Sequence, residues 1–101
     1  MESGELQSPG YPNQYPDSHN SAKSISVSRG KILITFDSFA TEACCDKVTI
    51  TDADGTVLLN EHSGRTPPNP ITSHTNKVFV RFVTDSDTRG SGWSLVWESV
   101  P

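Results

Sequence analysis

Much is missing from this 101-residue chain. No stretch keeps the 3.6-residue period of an amphipathic helix. No apolar run approaches the length of a membrane helix. The eight Lys and Arg residues are scattered and outnumbered by twelve Asp and Glu, for a net charge of −4. That balance excludes the clustered basic face of a nucleic-acid binder. The opening Met1-Glu2-Ser3-Gly4 is acidic and polar, without the apolar region of a signal peptide. It says nothing about compartment, and Met1 to about Gly4 reads as linker. The three histidines, His19, His62 and His74, stand apart in polar contexts and read as surface residues. No Ser or Cys motif carries a base partner, so nothing points to an enzyme. There is no internal repeat and no room for a second domain. The chain is expected to form one domain over residues 1–101, and its 33% hydrophobic content makes for a lean core.

Cysteine is nearly absent: Cys44 and Cys45 are the two, and they are neighbours. Zinc is disfavoured, because adjacent cysteines in extended chain diverge and no second ligand pair accompanies them. A bond between neighbours is strained, since their Cα atoms lie about 3.8 Å apart, below the usual range of about 4.4–6.8 Å. The simplest expectation is two ordinary thiols, one inward and one outward. An intermolecular bond through the outward one, giving a disulfide-linked dimer, is the alternative.

What is present is strand. Ile25 and Val27 alternate with serines, and Ile32, Ile34 and Phe36 share a face. Val48 and Ile50 oppose Lys47, Thr49 and Thr51. Val78, Val80 and Phe82 oppose Phe79, Arg81 and Val83, and Trp93, Leu95 and Trp97 line up near the end. Alternation with period two, in β-branched and aromatic residues, marks half-buried strands. Turn signals separate them: Ser28-Arg29-Gly30, Asp52-Ala53-Asp54-Gly55, Ser63-Gly64-Arg65 and Arg89-Gly90-Ser91-Gly92. The pattern predicts an all-β antiparallel sandwich. Its core is expected to hold Ile25, Val27, Ile32, Ile34, Phe36, Val48, Ile50, Val78, Val80, Phe82, Leu95 and Trp97. The connection His62–Asn76, stiffened by Pro67, Pro68 and Pro70, is the longest stretch without strand character.

Four ordered motifs then carry a resemblance. They are Ser8-Pro9-Gly10-Tyr11-Pro12-Asn13-Gln14-Tyr15-Pro16; Phe36-Asp37-Ser38-Phe39; Thr41-Glu42 with Asp46 before Val48-Thr49-Ile50; and Phe82 with Asp85 and Asp87 before Gly92-Trp93. Over nearly its full length the chain resembles the CUB domain family, sandwich modules of extracellular proteins. The resemblance implies a jelly-roll-like topology, with the Pro-Tyr segment as an edge strand and following loop whose rings pack beside the acidic loops. It also exposes departures. The family's C-x-W-x-I strand is here Ser21-Ala22-Lys23-Ser24-Ile25, and His62 stands where a family cysteine precedes a glycine. Neither usual disulfide pair can form.

Glu42, Asp46, Asp85 and Asp87 come from two loops that this fold brings to one end of the sandwich. Carboxylates brought together repel unless a cation or protons intervene. An oxygen-only set without His or Cys suits a hard cation such as Ca²⁺. The resemblance implies Glu42, Asp46 and Asp85 as side-chain ligands, Asp87 as a further oxygen and a backbone carbonyl around Thr88. Tyr11 or Tyr15 would orient the Glu42 carboxylate. A second acidic loop, with Asp52, Asp54, Gly55 and Glu61 at EF-hand offsets, reads instead as a hairpin turn with Gly55 at positive φ. The implied function is a calcium-dependent module, extracellular or at the cell surface as part of a larger protein. It would bind a partner protein through a Lys or Arg side chain, with no nucleic acid and no membrane insertion. The alternative is a metal-independent spacer or a glycan-binding sandwich, the latter depending on Trp93 and Trp97, whose shared face with Leu95 favours the core.

Overall fold

The computed structural model describes residues 2–13, 15, 18–41, 45–85 and 90–101. Eight strands form in chain order: β1 (Ser3–Gln7), β2 (Asn20–Ser26), β3 (Lys31–Ala40), β4 (Lys47–Asp52), β5 (Val57–His62), β6 (Ile71–Thr72), β7 (Lys77–Val83) and β8 (Gly92–Val100). They build two four-stranded sheets, ordered β1-β8-β3-β6 and β2-β7-β4-β5. Every pairing is antiparallel. The architecture is the expected antiparallel sandwich of jelly-roll type. No helix forms among the described residues, in keeping with the missing helical period.

Period two decides what lies between the sheets. Along β7, Val78, Val80 and Phe82 are buried while the residues between them face solvent. Along β4 the buried positions are Val48, Ile50 and Asp52, and the same parity carries back to Asp46, just before the strand. The inner stripe of β4 is thus two aliphatic residues with a buried aspartate at each end.

Eleven of the twelve expected core residues are buried; Trp97 is half-buried and packs on the core's margin. Its indole lies over Gly4, where an added Cβ would stand 2.6 Å from the ring. Tyr15, Phe39 and Trp93 are also in the core. Phe39 gets there through a bulge. The β3–β8 register shifts between Phe36 and Ser38, so one extra residue flips the parity and turns both rings inward, with centroids 5.6 Å apart.

Three local expectations give way. Ser3 and Gly4, expected as linker, belong to β1, which pairs along β8 from Ser3↔Glu98 to Gln7↔Ser94. An alternation as short and polar as Ser-Gly-Glu-Leu-Gln carries too little signal to read as strand. The edge strand is therefore this segment, while Pro9–Pro12 forms turns because its prolines cannot serve a ladder. The long proline-rich connection contains the two-residue β6, which pairs with Leu33 and Ile34 of β3.

Asp52 ties the far end together. Its Oδ1 accepts from the Thr75 hydroxyl at 2.6 Å and from Asp54 N–H at 3.4 Å, and its Oδ2 from the N–H groups of His74 and Thr75. Burial pushes this carboxyl up, but the bonds from Thr75, His74 and Asp54 outweigh it and hold it below the usual aspartate range. A carboxyl depressed in the folded state stabilises the fold above its unfolded pKa, and that stabilisation is lost as pH falls through the folded value. Asp52→Ala should cost about 1–3 kcal/mol at neutral pH, because it orphans four partly buried donors. In urea titrations the gap between wild type and variant should narrow below about pH 4.

Candidate metal centre

At the other end of β4 the chain makes a second, differently built carboxylate site. Thr41, just past β3, is buried, and its main-chain N–H donates to Gly64 O at 2.8 Å. Its hydroxyl donates to the backbone carbonyl of Asp46 at 3.1 Å and accepts from Gly64 N–H at 3.0 Å. One threonine thus anchors the β3–β4 connection to the Gly64 turn and to the start of β4.

Asp46 follows a turn at Cys45 and is completely buried. Its Oδ1 accepts from the main-chain N–H of Asp85 at 2.9 Å, and its Oδ2 from the Tyr15 hydroxyl. Tyr15 is itself fully buried, its ring edge-on to Phe82 at 4.9 Å. Asp85 lies just beyond β7, and its carbonyl accepts from Ser18 N–H at 2.6 Å. Beside it, Thr84 and His19 exchange two bonds: Thr84 N–H to His19 O at 2.8 Å, and His19 N–H to Thr84 Oγ1 at 2.7 Å. Three segments far apart in sequence therefore converge on one carboxylate.

The structure brings together Asp46, Asp85 and Tyr15 of the residues expected from sequence. Tyr11 is not among them: its hydroxyl pairs with Ser38 Oγ at 2.6 Å, because its turn lies against β3. Tyr15 reaches Asp46, whereas the expected partner of a tyrosine here was Glu42 alone. Glu42, Asp87, Thr88 and Cys44 lie outside the described residues. Cys45 is disulfide-bonded, and no free cysteine occurs among the described residues, so the expectation of two ordinary thiols is corrected. That expectation assumed extended chain, whereas Cys45 sits in a turn.

The donor set fits a hard cation. Among the described residues the groups bonded to the Asp46 carboxylate are a phenol O–H and a main-chain N–H, and each carboxylate oxygen keeps a lone pair beyond that one bond. A buried carboxylate needs donors enough to meet its oxygens, a compensating charge or a proton, and Asp46 has two donors where Asp52 has four. Among the described residues the ion pairs are Lys47–Glu61 at 3.6 Å and His74–Asp54 at 3.2 Å, and neither reaches Asp46.

The other acidic cluster was only half legible. The hairpin expectation holds, with Gly55 at φ 95° in the β4–β5 turn. Glu61 points to Lys47 instead of completing an EF-hand loop. His74 was missed: its ligand atom and those of Asp52 and Asp54 lie within 4.8 Å of one another. Only the loop after β6 brings it there, which no local spacing announces. Since four donors already fill the Asp52 oxygens, this cluster is a turn lock about 20 Å along β4 from Asp46.

The fold and this site define a class: a jelly-roll sandwich with a buried aspartate, Asp46, held where the β3–β4 connection meets the end of β7. The CUB domain profile matches residues 1–97, and the chain belongs to the CUB domain family. It is 31% identical over 102 residues to cubilin of Rattus norvegicus, covering 96% of this chain and 3% of that protein. The chain thus spans a small part of the length of the curated relative it matches. The MASP-1 CUB2 domain bound to Ca²⁺ superposes with a TM-score of 0.89 at 25% identity, covering 98% of this chain and 94% of that one. The full extracellular region of zebrafish Gpr126/Adgrg6 contains a similar fold, with a TM-score of 0.87 at 25% identity over 99% of this chain and 14% of that one. The chain is accordingly a module of extracellular or cell-surface type.

Two outcomes follow from this geometry. Tyr15→Phe removes the donor to a buried carboxylate and should cost about 1–3 kcal/mol in denaturant unfolding, whereas Tyr11→Phe, half-exposed, should cost less. Thiol titration of denatured protein should find no free thiol before reduction, on a chain that runs as a monomer without reductant. A reducible dimer would move the Cys45 bond to a second chain.

Proposed function

We propose that residues 1–101 form a non-catalytic, calcium-binding interaction module that holds a basic side chain of a partner protein at its acidic pole. The observation that carries this reading is Asp46, a completely buried carboxylate without a cationic partner among the described residues, set against Asp85. The Ca²⁺ bound by the similarly folded MASP-1 CUB2 domain supports it. Glu42, Asp46 and Asp85 are the proposed side-chain ligands, with Asp87 and the Thr88 carbonyl completing the set on the strength of the family resemblance. Calcium supplies the positive charge that lets these carboxylates share one site. The chain's own part is positional. Tyr15 and the Asp85 N–H fix the Asp46 carboxylate, and the Thr41 clamp fixes one end of the connection that bears Glu42. The more exposed oxygens then accept a Lys or Arg head group of the partner, an attraction weakened by salt.

A ligand bound only by the folded state stabilises by about 2.7 kcal/mol at a hundredfold excess over Kd. For a chain of this size, saturating calcium should raise Tm by roughly 10–20 °C over chelated protein. Asp85→Ala should abolish most of that rise. Asp54→Ala and Glu61→Ala, at the turn lock and on β5, should keep it, and magnesium should substitute poorly. If calcium leaves the wild-type melt unmoved, or moves Asp85→Ala equally, the domain is a metal-free spacer or interaction module.

A further inference from the structure

A two-sheet sandwich has two outer faces, and cross-strand pairing fixes what each displays. On the outside of the β2-β7-β4-β5 sheet, Val83 lies opposite Lys47, and Phe79 lies opposite Thr51, itself opposite Val57. Arg81 stands between Phe79 and Val83 on β7, and the Lys77 ammonium sits 5.3 Å from the centre of the Phe79 ring. Among the described residues the exposed large hydrophobics are Val57, Phe79, Val83 and Val96, and three of the four are on this face. Its cations are Lys47, Lys77 and Arg81, against one acid, Glu61, which reaches Lys47 at 3.6 Å. In a chain of net charge −4 the face is a local reversal of sign.

The outside of the β1-β8-β3-β6 sheet carries the opposite charge. Val96, the fourth exposed hydrophobic, lies opposite Glu5 on β1 and Thr35 on β3. Glu98 follows two residues along β8, opposite the half-buried Leu33. Lys31 stands at the margin opposite Val100 and is offset by the exposed Asp37. The two centres match in pattern. Val83 has Lys47 directly across the sheet and Arg81 two residues along its own strand; Val96 has Glu5 and Glu98 in the same two places. Each valine is 36% exposed. In both triangles one side is a cross-strand pair, about 4.5–5.5 Å between Cβ atoms, and the other is two strand residues, about 6.7 Å. Each triangle carries one sign, so whichever cation an acid meets, the charges are opposite. Neither face suits a copy of itself, because like charges would then be opposed.

We propose that a second copy of this chain docks by its acidic β1-β8-β3-β6 face on the basic β2-β7-β4-β5 face of the first. Val83 and Val96 form the apolar centre, with Phe79 beside them, and Lys47 and Arg81 receive Glu5 and Glu98. The contact is heterologous. The two faces lie on opposite sides of the sandwich, so every pair leaves one of each free, and copies add in a row. Four strands of six residues span only about 20 × 15 Å, which places the contact among weak, transient ones. It uses neither Asp46 nor Asp85 and does not depend on calcium.

The test is sedimentation equilibrium of the chain in chelator at low salt, on protein shown to be free of covalent dimer by a non-reducing gel. Up to about 1 mM protein, the weight-average mass should climb past that of a dimer, and added salt should weaken the association. Lys47→Glu with Arg81→Glu, and separately Glu5→Lys with Glu98→Lys, should each weaken it at least about tenfold. Mixed in equal amounts, the two double variants should associate again, because each altered face then meets one of opposite sign. Glu61→Gln, which frees Lys47, should strengthen the wild-type association. Where a double variant fails to fold, Arg81→Glu and Glu98→Lys alone take its place. A chain that stays monomeric overturns the proposal, as does a mass that levels off at the dimer. So does association that salt strengthens, or a mixture no more associated than its components.

Discussion

The structure depends on the burial of two aspartates at the ends of one strand's inner stripe. Strand parity puts Asp46 and Asp52 on the core side of β4, where a carboxylate survives only if its oxygens are met. Each is met by chain from elsewhere, and meeting them shapes the loops. Asp52 takes four donors from its own turn and from the loop after β6. Asp46 takes two, from Tyr15 and from the end of β7. The difference in donor count separates a carboxylate that locks a turn from one whose oxygens are each met only once. Two acids of nearly equal burial and the same strand parity thereby come to sit in differently built surroundings.

The apolar framework was readable because alternation is a local signal. Val78, Val80 and Phe82 announce their face within five residues, and so do Val48 and Ile50. What escaped reading was set by partners distant in sequence. β1 exists because β8 offers it an edge. Phe39 is inward because of a bulge whose cause is register with β8. Trp97 shares the parity of Leu95 but reaches the margin, where Gly4 alone leaves room for its ring.

The candidate site was legible as residue types and illegible as contacts. Asp46 and Asp85 stood out as acids in loops that the topology joins, and the structure joins them. That Tyr15 and not Tyr11 reaches the carboxylate depends on how the turn after β1 delivers each ring, which proline spacing does not state.

The pairing of β1 with β8 carries a mechanical consequence. Ser3 lies opposite Glu98, so the chain enters and leaves at the same pole, while Gly92 starts β8 beside Ala40, toward the acidic pole. Antiparallel hydrogen bonds run across the strands. Tension applied through the two ends therefore loads the β1–β8 ladder one rung at a time, as a zipper, instead of shearing all its rungs at once. β1 peels first, from Ser3 toward Gln7, and the last rung to open is the one nearest Ser8 and Trp93. The acidic pole, at the far end of the sandwich, bears no load until that strand is gone.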